Sequence, residues 1–397
     1  MGNDPSGSKV SSAAIPSGGF RARNVRSFGR WYQKQVKPAL RPLQKSLFVI
    51  EKGNSVISTK KRVGIVLFQL GGPDSLANVE PFLRNLFSDP DIIPLGPLDF
   101  MRGPLARYIA KKRCVPVAQR YGMIGRRSPI GILTERQRVR LVEAVEPYID
   151  PVAVTAMRYW KPFTEDAVAA LKRAGRLDEL VLLPLYPHYS YATTLSSLKE
   201  WRRAYGEPVD TLPERSIECF YDHPLYVQAI VHNIGKCLRQ FPDASRIHLI
   251  FSAHGIPMSL VEKGDPYPKH VKETVRLVNE LGASRYPNWP TTRILCFQSR
   301  VGPAKWLEPS FVQTLHQLGH EGVKEAMVVP ISFVTEHIET LHEINIDGRL
   351  DAKKAGIERY RMMPAVGDSP LFIGALKELV LRAAEVRTGE SSHSSVA

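Results

Sequence analysis

Cysteine is scarce in this chain. Four residues, Cys114, Cys219, Cys237 and Cys296, stand far apart among 397, and no two have C-x-x-C spacing. That argues against a disulfide scaffold, a thiolate zinc site and an iron–sulfur cluster, and fits a reducing compartment such as the cytoplasm. Long apolar runs are lacking too: none approaches the ~18 residues that span a bilayer. Neither G-x-G-x-x-G nor G-x-x-x-x-G-K-[ST] follows any of the apolar segments, which disfavours dinucleotide and nucleotide-phosphate binding. Acidic residues are nearly missing from the first 61 positions. Twelve Lys and Arg stand there against Asp4 and Glu51, a balance of +10, and the rest of the chain carries only +5 of the formal +15.

The charge therefore belongs to an extension, and the basic pI is no argument for a nucleic-acid partner. Residues 1–61 read as a disordered basic extension, Ser- and Gly-rich at first, then with Phe28, Trp31 and Tyr32 among Arg and Lys. Such a segment suits peripheral contact with an anionic membrane surface. As an organelle transit peptide it would instead direct the protein to the matrix face of the mitochondrial inner membrane. A solvated tail is the ordinary alternative.

From residue 62 the pattern changes. Short apolar runs at 63–70, 152–159, 180–186, 247–253, 294–297, 326–333 and 360–363 alternate with helical stretches at 135–148, 164–173, 224–239, 269–281 and 311–318. Buried parallel strands with crossover helices give this alternation, so the class is α/β. The run from Ile65 to Pro73 reads like that from Leu249 to Pro257, and Pro184 and Pro330 each interrupt an apolar segment. Two similar doubly wound halves follow: 62–240, with a lip at about 87–132, and 241–385, then a frayed tail at 386–397. Ligands of such folds bind beyond the carboxyl ends of the strands, which makes a cleft between the halves the expected site.

At one strand end stands His254, just before Gly255. After another come Glu336, Glu339, Glu343 and Asp347, spaced three, four and four apart. At helical spacing these line one face, where like charges repel unless a cation joins them. A solvated acidic face is the bland reading. Oxygen ligands in a row at a cleft also suit the handling of a divalent metal, with His337 and His342 beside them.

These segments resemble the ferrochelatase family. The resemblance is carried by Phe251-Ser-Ala-His254-Gly-Ile-Pro, Gly264-Asp-Pro-Tyr267, Phe297-Gln-Ser-Arg-Val-Gly-Pro-Ala-Lys-Trp306-Leu, Val329-Pro-Ile-Ser-Phe-Val-Thr-Glu-His-Ile-Glu339, Leu70-Gly-Gly-Pro-Asp74 and Tyr186-Pro with Thr193-Thr194. It covers roughly residues 62–385 in order. It implies an enzyme that inserts ferrous iron into a porphyrin and releases two protons. His254 and Glu339 are then the catalytic pair and metal ligands, and Glu343 and Asp347 bind or guide the metal. Leu70, Arg113, Tyr121, Ser128, Arg158, Tyr159 and Trp306 become porphyrin contacts. An imidazole titrates in the right range to take a pyrrole proton. Iron and porphyrin are substrates, and no permanently bound cofactor is expected, since no cysteine follows Cys296 to ligate the cluster that some members carry. Protoporphyrin is the favoured substrate, with coproporphyrin, another tetrapyrrole metal, or a non-catalytic haem carrier as alternatives.

Overall fold

The structure, a computed structural model, describes residues 60–93, 95–206, 212–300 and 304–386. The expectations for the basic extension before residue 60 and for the tail beyond 386 lie outside the described residues.

Strands β1 (Arg62–Gln69), β2 (Asp150–Met157), β3 (Glu179–Pro184) and β4 (Glu214–Ser216) form one parallel sheet in the order β2-β1-β3-β4. Strands β5 (His248–His254), β6 (Arg293–Gln298), β7 (Glu325–Pro330) and β8 (Arg359–Met362) form a second, in the matching order β6-β5-β7-β8. The central strands are buried almost end to end, as strands covered by helices on both faces must be, and so read as unbroken apolar runs. Gly64 in β1 is required by packing: a Cβ there would meet the Leu180 side chain at 2.6 Å. The repeat extends to register. Phe68 pairs with Pro184 as Ser252 pairs with Pro330. Leu70, two residues past Phe68, and His254, two past Ser252, therefore occupy equivalent places at the ends of β1 and β5.

Several elements escape the sequence reading. The lip contains one 22-residue helix, Arg102–Met123, with Pro116 inside it. It buries only Ala106, Ala110 and Tyr121, while Tyr108, Val115 and Met123 are exposed, so no apolar stripe announces it. No described helix is long and apolar enough to cross a membrane. The three-residue β4 is too short to show a pattern. Two segments are π-helices, Tyr191–Leu195 after β3 and Glu339–Asp347 after β7, so the halves repeat even this uncommon winding.

The two sheets share one core. Leu67 and Leu141 cluster with Ile230, Phe251, Met327, Phe372 and Leu379. The last described helix, Pro370–Ala383, packs on Pro224–Leu238, on Ile130–Val145 and on β3, so a segment that follows the second sheet completes the first half. Each such apolar side chain contributes about 1.5–3 kcal/mol by leaving water.

One buried histidine marks this junction. His188 follows β3, is 2% exposed and makes a 3.0 Å hydrogen bond to Thr274 Oγ1. Burial, reinforced by nearby His270, pulls its pKa down to about 3. A histidine whose folded pKa is lowered leaves the unfolded chain binding more protons. Stability is then lost as pH falls below the unfolded value near 6.5, by up to about 1.4 kcal/mol per pH unit. Denaturant titrations between pH 7 and 4 should show a shallower fall for His188→Gln than for the unaltered protein. Equal slopes would mean that His188 does not carry the acid sensitivity.

Candidate active site

His254 closes β5, after a buried run that ends at Ala253. The chain turns sharply next. Gly255 N–H donates to the Gln298 carbonyl at 2.8 Å, and a Cβ at Gly255 would lie 2.9 Å from that oxygen and 3.4 Å from the Trp306 ring. The turn carries the His254 side chain off the sheet and leaves it 35% exposed. Nδ1 of His254 is 2.6 Å from the Gly255 carbonyl, and Nε2 is 3.4 Å from Glu339 Oε1. The His254 carbonyl accepts from the Tyr267 hydroxyl at 2.8 Å.

Glu339 opens the π-helix. Four-residue steps stay on one side of either an α- or a π-winding, so the stripe survives although the expected α-helix does not. Its members have distinct partners. Glu339 lies between two imidazoles, His254 and His337, whose Nε2 is 3.2 Å from Oε2. Glu343 accepts from Ser299 N–H at 2.7 Å and from the Ser299 hydroxyl at 2.6 Å. Asp347 lies 3.0 Å from His342 Nδ1. Glu336 leaves the row, which corrects the four-residue stripe. It is buried, accepts the Thr340 hydroxyl at 2.5 Å, and takes the Ala365 N–H at 2.8 Å. A carboxylate at the end of a strand finds backbone donors there and is consumed by them.

The charges follow from these distances. Burial alone would lower the His254 pKa, but the Glu339 carboxylate overrides it and lifts it to about 9. Burial likewise resists ionisation of Glu339, and His254 overrides it and brings Glu339 to about 2. His337 is pulled down, by burial and then by charged His254, against the attraction of Glu339. Its Nδ1 accepts the Thr340 N–H at 3.3 Å, which leaves the proton on the Nε2 that faces Glu339. The row is therefore imidazolium, carboxylate, neutral imidazole. The sequence reading has a neutral His254; its Nδ1 carbonyl partner and Nε2 carboxylate partner are both acceptors, and they make it charged. Phe333 packs edge-on to His337, ring centroids 4.4 Å apart, and lies 6.4 Å from His254.

The residues carried over as porphyrin contacts fall into groups. Tyr121, on the lip helix, is buried, and its hydroxyl pKa is raised by burial and by Glu339, which places the lip against the acidic row. Arg113, on the same helix, sits 5.6 Å over the Phe87 ring. Leu70, Ser128, Arg158 and Tyr159 gather at the ends of β1 and β2: Ser128 packs under Gly72, its N–H bonded to the Pro73 carbonyl at 2.7 Å, and Tyr159 N–H bonds the Leu70 carbonyl at 2.9 Å. Arg158 pairs with buried Asp89 at 2.7 Å, and the Tyr159 hydroxyl donates to the same carboxylate at 2.7 Å. With its ring 1% exposed, Tyr159 props Arg158 from below. Trp306 pairs in a β-bridge with Pro257, beside the His254 turn, and its indole N–H is buried with no partner among the described residues. Ser299, Tyr267 and Phe333 went unremarked in the sequence as site residues. Each lies inside a quoted motif; Ser299 and Tyr267 bond residues 44 and 13 positions away, and Phe333 packs on His337, four residues on.

The Ferrochelatase family profile matches residues 62–384. The ferrochelatase of Geotalea daltonii is 47% identical over 322 residues, 81% of this chain and 97% of that one. That of Geobacter metallireducens is 46% identical over 324 residues, with 81% and 99% covered, and that of Picosynechococcus sp. is 45% identical over 326, with 80% and 82% covered. Among solved structures, SirB from Bacillus subtilis with Fe3+ aligns with a TM-score of 0.48 at 13% identity, over 82% of this chain and 96% of that one. The family match runs through all eight strands and includes both members of the His254–Glu339 pair, and on that ground this chain belongs to the ferrochelatase family of metal chelatases.

Proposed function

We propose that this protein inserts ferrous iron into protoporphyrin, with His254 and Glu339 at the transfer step. The row His254–Glu339–His337, with the His254 side chain partly exposed, is the observation that carries the reading. A porphyrin enters with two pyrrole N–H protons, and both must leave as the metal arrives. Glu339, held ionised, attracts the dication and can accept one proton. Neutral His337 donates its Nε2 proton to the second oxygen and so keeps the carboxylate in place. His254 starts charged. A ferrous ion coming near favours loss of the His254 proton, and the freed imidazole can then bind metal or accept from the ring. Glu343 and Asp347 extend the row from Glu339 and guide iron to it. At the ends of β1 and β2, we assign Arg158, already held by Asp89 and Ser196, and Ser128 to the rim of the macrocycle as polar contacts. Leu70 offers an apolar surface at the place where the other half has His254.

The test is anaerobic turnover with ferrous iron, followed by absorbance, on protoporphyrin and coproporphyrin in parallel. Protoporphyrin is expected to have the higher kcat/KM. The reverse preference would reassign the substrate, and binding without turnover of either would make the protein a carrier. The active preparation is expected to contain no acid-labile sulfide, because the four cysteines lack ligand spacing. A chain beginning at residue 62 is expected to keep its rate on detergent-solubilised porphyrin, since the basic extension is proposed to serve membrane contact alone, at a cytoplasmic or an organellar surface.

A further inference from the structure

Ser299 is the first residue after β6 and has a left-handed backbone, φ +66°, which an L side chain seldom adopts. Glycine would adopt it without strain. The residue found there instead spends both its donors on one carboxylate: N–H to Glu343 Oε1 at 2.7 Å, and hydroxyl to Glu343 Oε2 at 2.6 Å. The left-handed turn is what aims the amide and the hydroxyl the same way. Glu343 lies one π-turn from Glu339, so two carboxylates of like charge stand close in a partly buried place. Left alone, the Glu343 side chain would swing away from Glu339 or seek solvent. A carboxylate offers about four lone-pair directions. Ser299 occupies two, one on each oxygen, and leaves the others for a cation.

We propose that Ser299 is a positioning residue for iron delivery: its amide and hydroxyl clamp both oxygens of Glu343, keeping that carboxylate in line behind Glu339. This rests on the reading of Glu343 as a guide for iron. The clamp joins the end of β6 to the π-helix, 44 residues away in sequence. Ser299 itself bonds neither member of the His254–Glu339 pair among the described residues; only Glu343 feels their charges. Loss of the clamp should therefore be felt in the use of iron and not in that of porphyrin.

The experiment compares Ser299→Ala, Ser299→Gly and Glu343→Gln in the full chain, varying iron and porphyrin separately under anaerobic conditions. Both Ser299 variants lose the hydroxyl, but only glycine relieves the backbone. If the hydroxyl positions Glu343, both raise the KM for iron by several-fold, with porphyrin KM unchanged and kcat within about two-fold. Neither adds to the effect of Glu343→Gln when combined with it. If Ser299 merely supports the loop, the effect follows melting temperature, and glycine restores iron KM while alanine does not; that result overturns the proposal. Should Glu343→Gln raise iron KM while both Ser299 variants leave it unchanged, the clamp is wrong and the guiding role stands. Should Glu343→Gln itself leave iron KM unchanged, both are overturned.

Discussion

His254→Ala is expected to lower the rate of iron insertion at saturating substrates by at least ~100-fold, the scale of a positioned acid–base group, or about 2.7 kcal/mol of lost transition-state stabilisation. Two losses combine in this variant. The imidazole itself goes, and Glu339 loses the cation that holds its pKa near 2. The Glu339 pKa then rises, with burial pushing it up and His337 left to oppose that, so the site loses its base and weakens its anion. The fold should be spared. His254 is the last residue of its strand, its side chain lies partly outside the sheet, and its backbone carbonyl keeps the Tyr267 bond. Stopped assays with ferrous iron under anaerobic conditions, paired with a melting curve, check this. A rate within a few-fold of the unaltered protein would remove His254 from the chemistry.

Glu339→Gln preserves shape and removes charge, and is expected to depress turnover as severely while porphyrin still binds. It has a second readout that needs no turnover. The Glu339 carboxylate is what lifts His254 to about 9 against the effect of burial. Without it only Glu343 and the Gly255 carbonyl oppose burial, and the His254 pKa should fall. Proton NMR of the histidine resonances follows this directly. A His254 pKa still near 9 in the glutamine variant would mean that the charge comes from elsewhere. A variant altered only in porphyrin affinity would mean that Glu339 is not at the transfer step.

The two residues of that pair were legible because each follows an apolar strand, where a doubly wound fold leaves room for a ligand. Other features were not legible, for physical reasons that differ from case to case. Glu336 has the spacing of its neighbours, and only the Ala365 N–H, supplied by a loop 29 residues further on, shows that it turns inward. Residues 339–347 have the composition of an α-helix, and nothing in it marks the π-winding. The charge on His254 depends on a carboxylate 85 positions away and on a carbonyl of its own turn. Tyr159 reads as a ring for the cleft and is a buried prop, because Asp89, the acid that receives its hydroxyl, lies 70 residues earlier. The lip helix lacks the apolar stripe by which helices are found, since it has solvent, not core, along most of its length.

The closing helix, Pro370–Ala383, has a consequence for how the protein is made. Leu141 and Val145 in the first half lie in a helix that packs against a segment made more than 220 residues later. At cellular translation speeds of roughly 5–20 residues per second, the interval between them is on the order of tens of seconds. For that time the nascent first half holds an apolar face with no partner, while the remaining strands emerge. During those seconds the first half is incomplete, and it becomes whole only when residues 370–383 have emerged and folded back onto it.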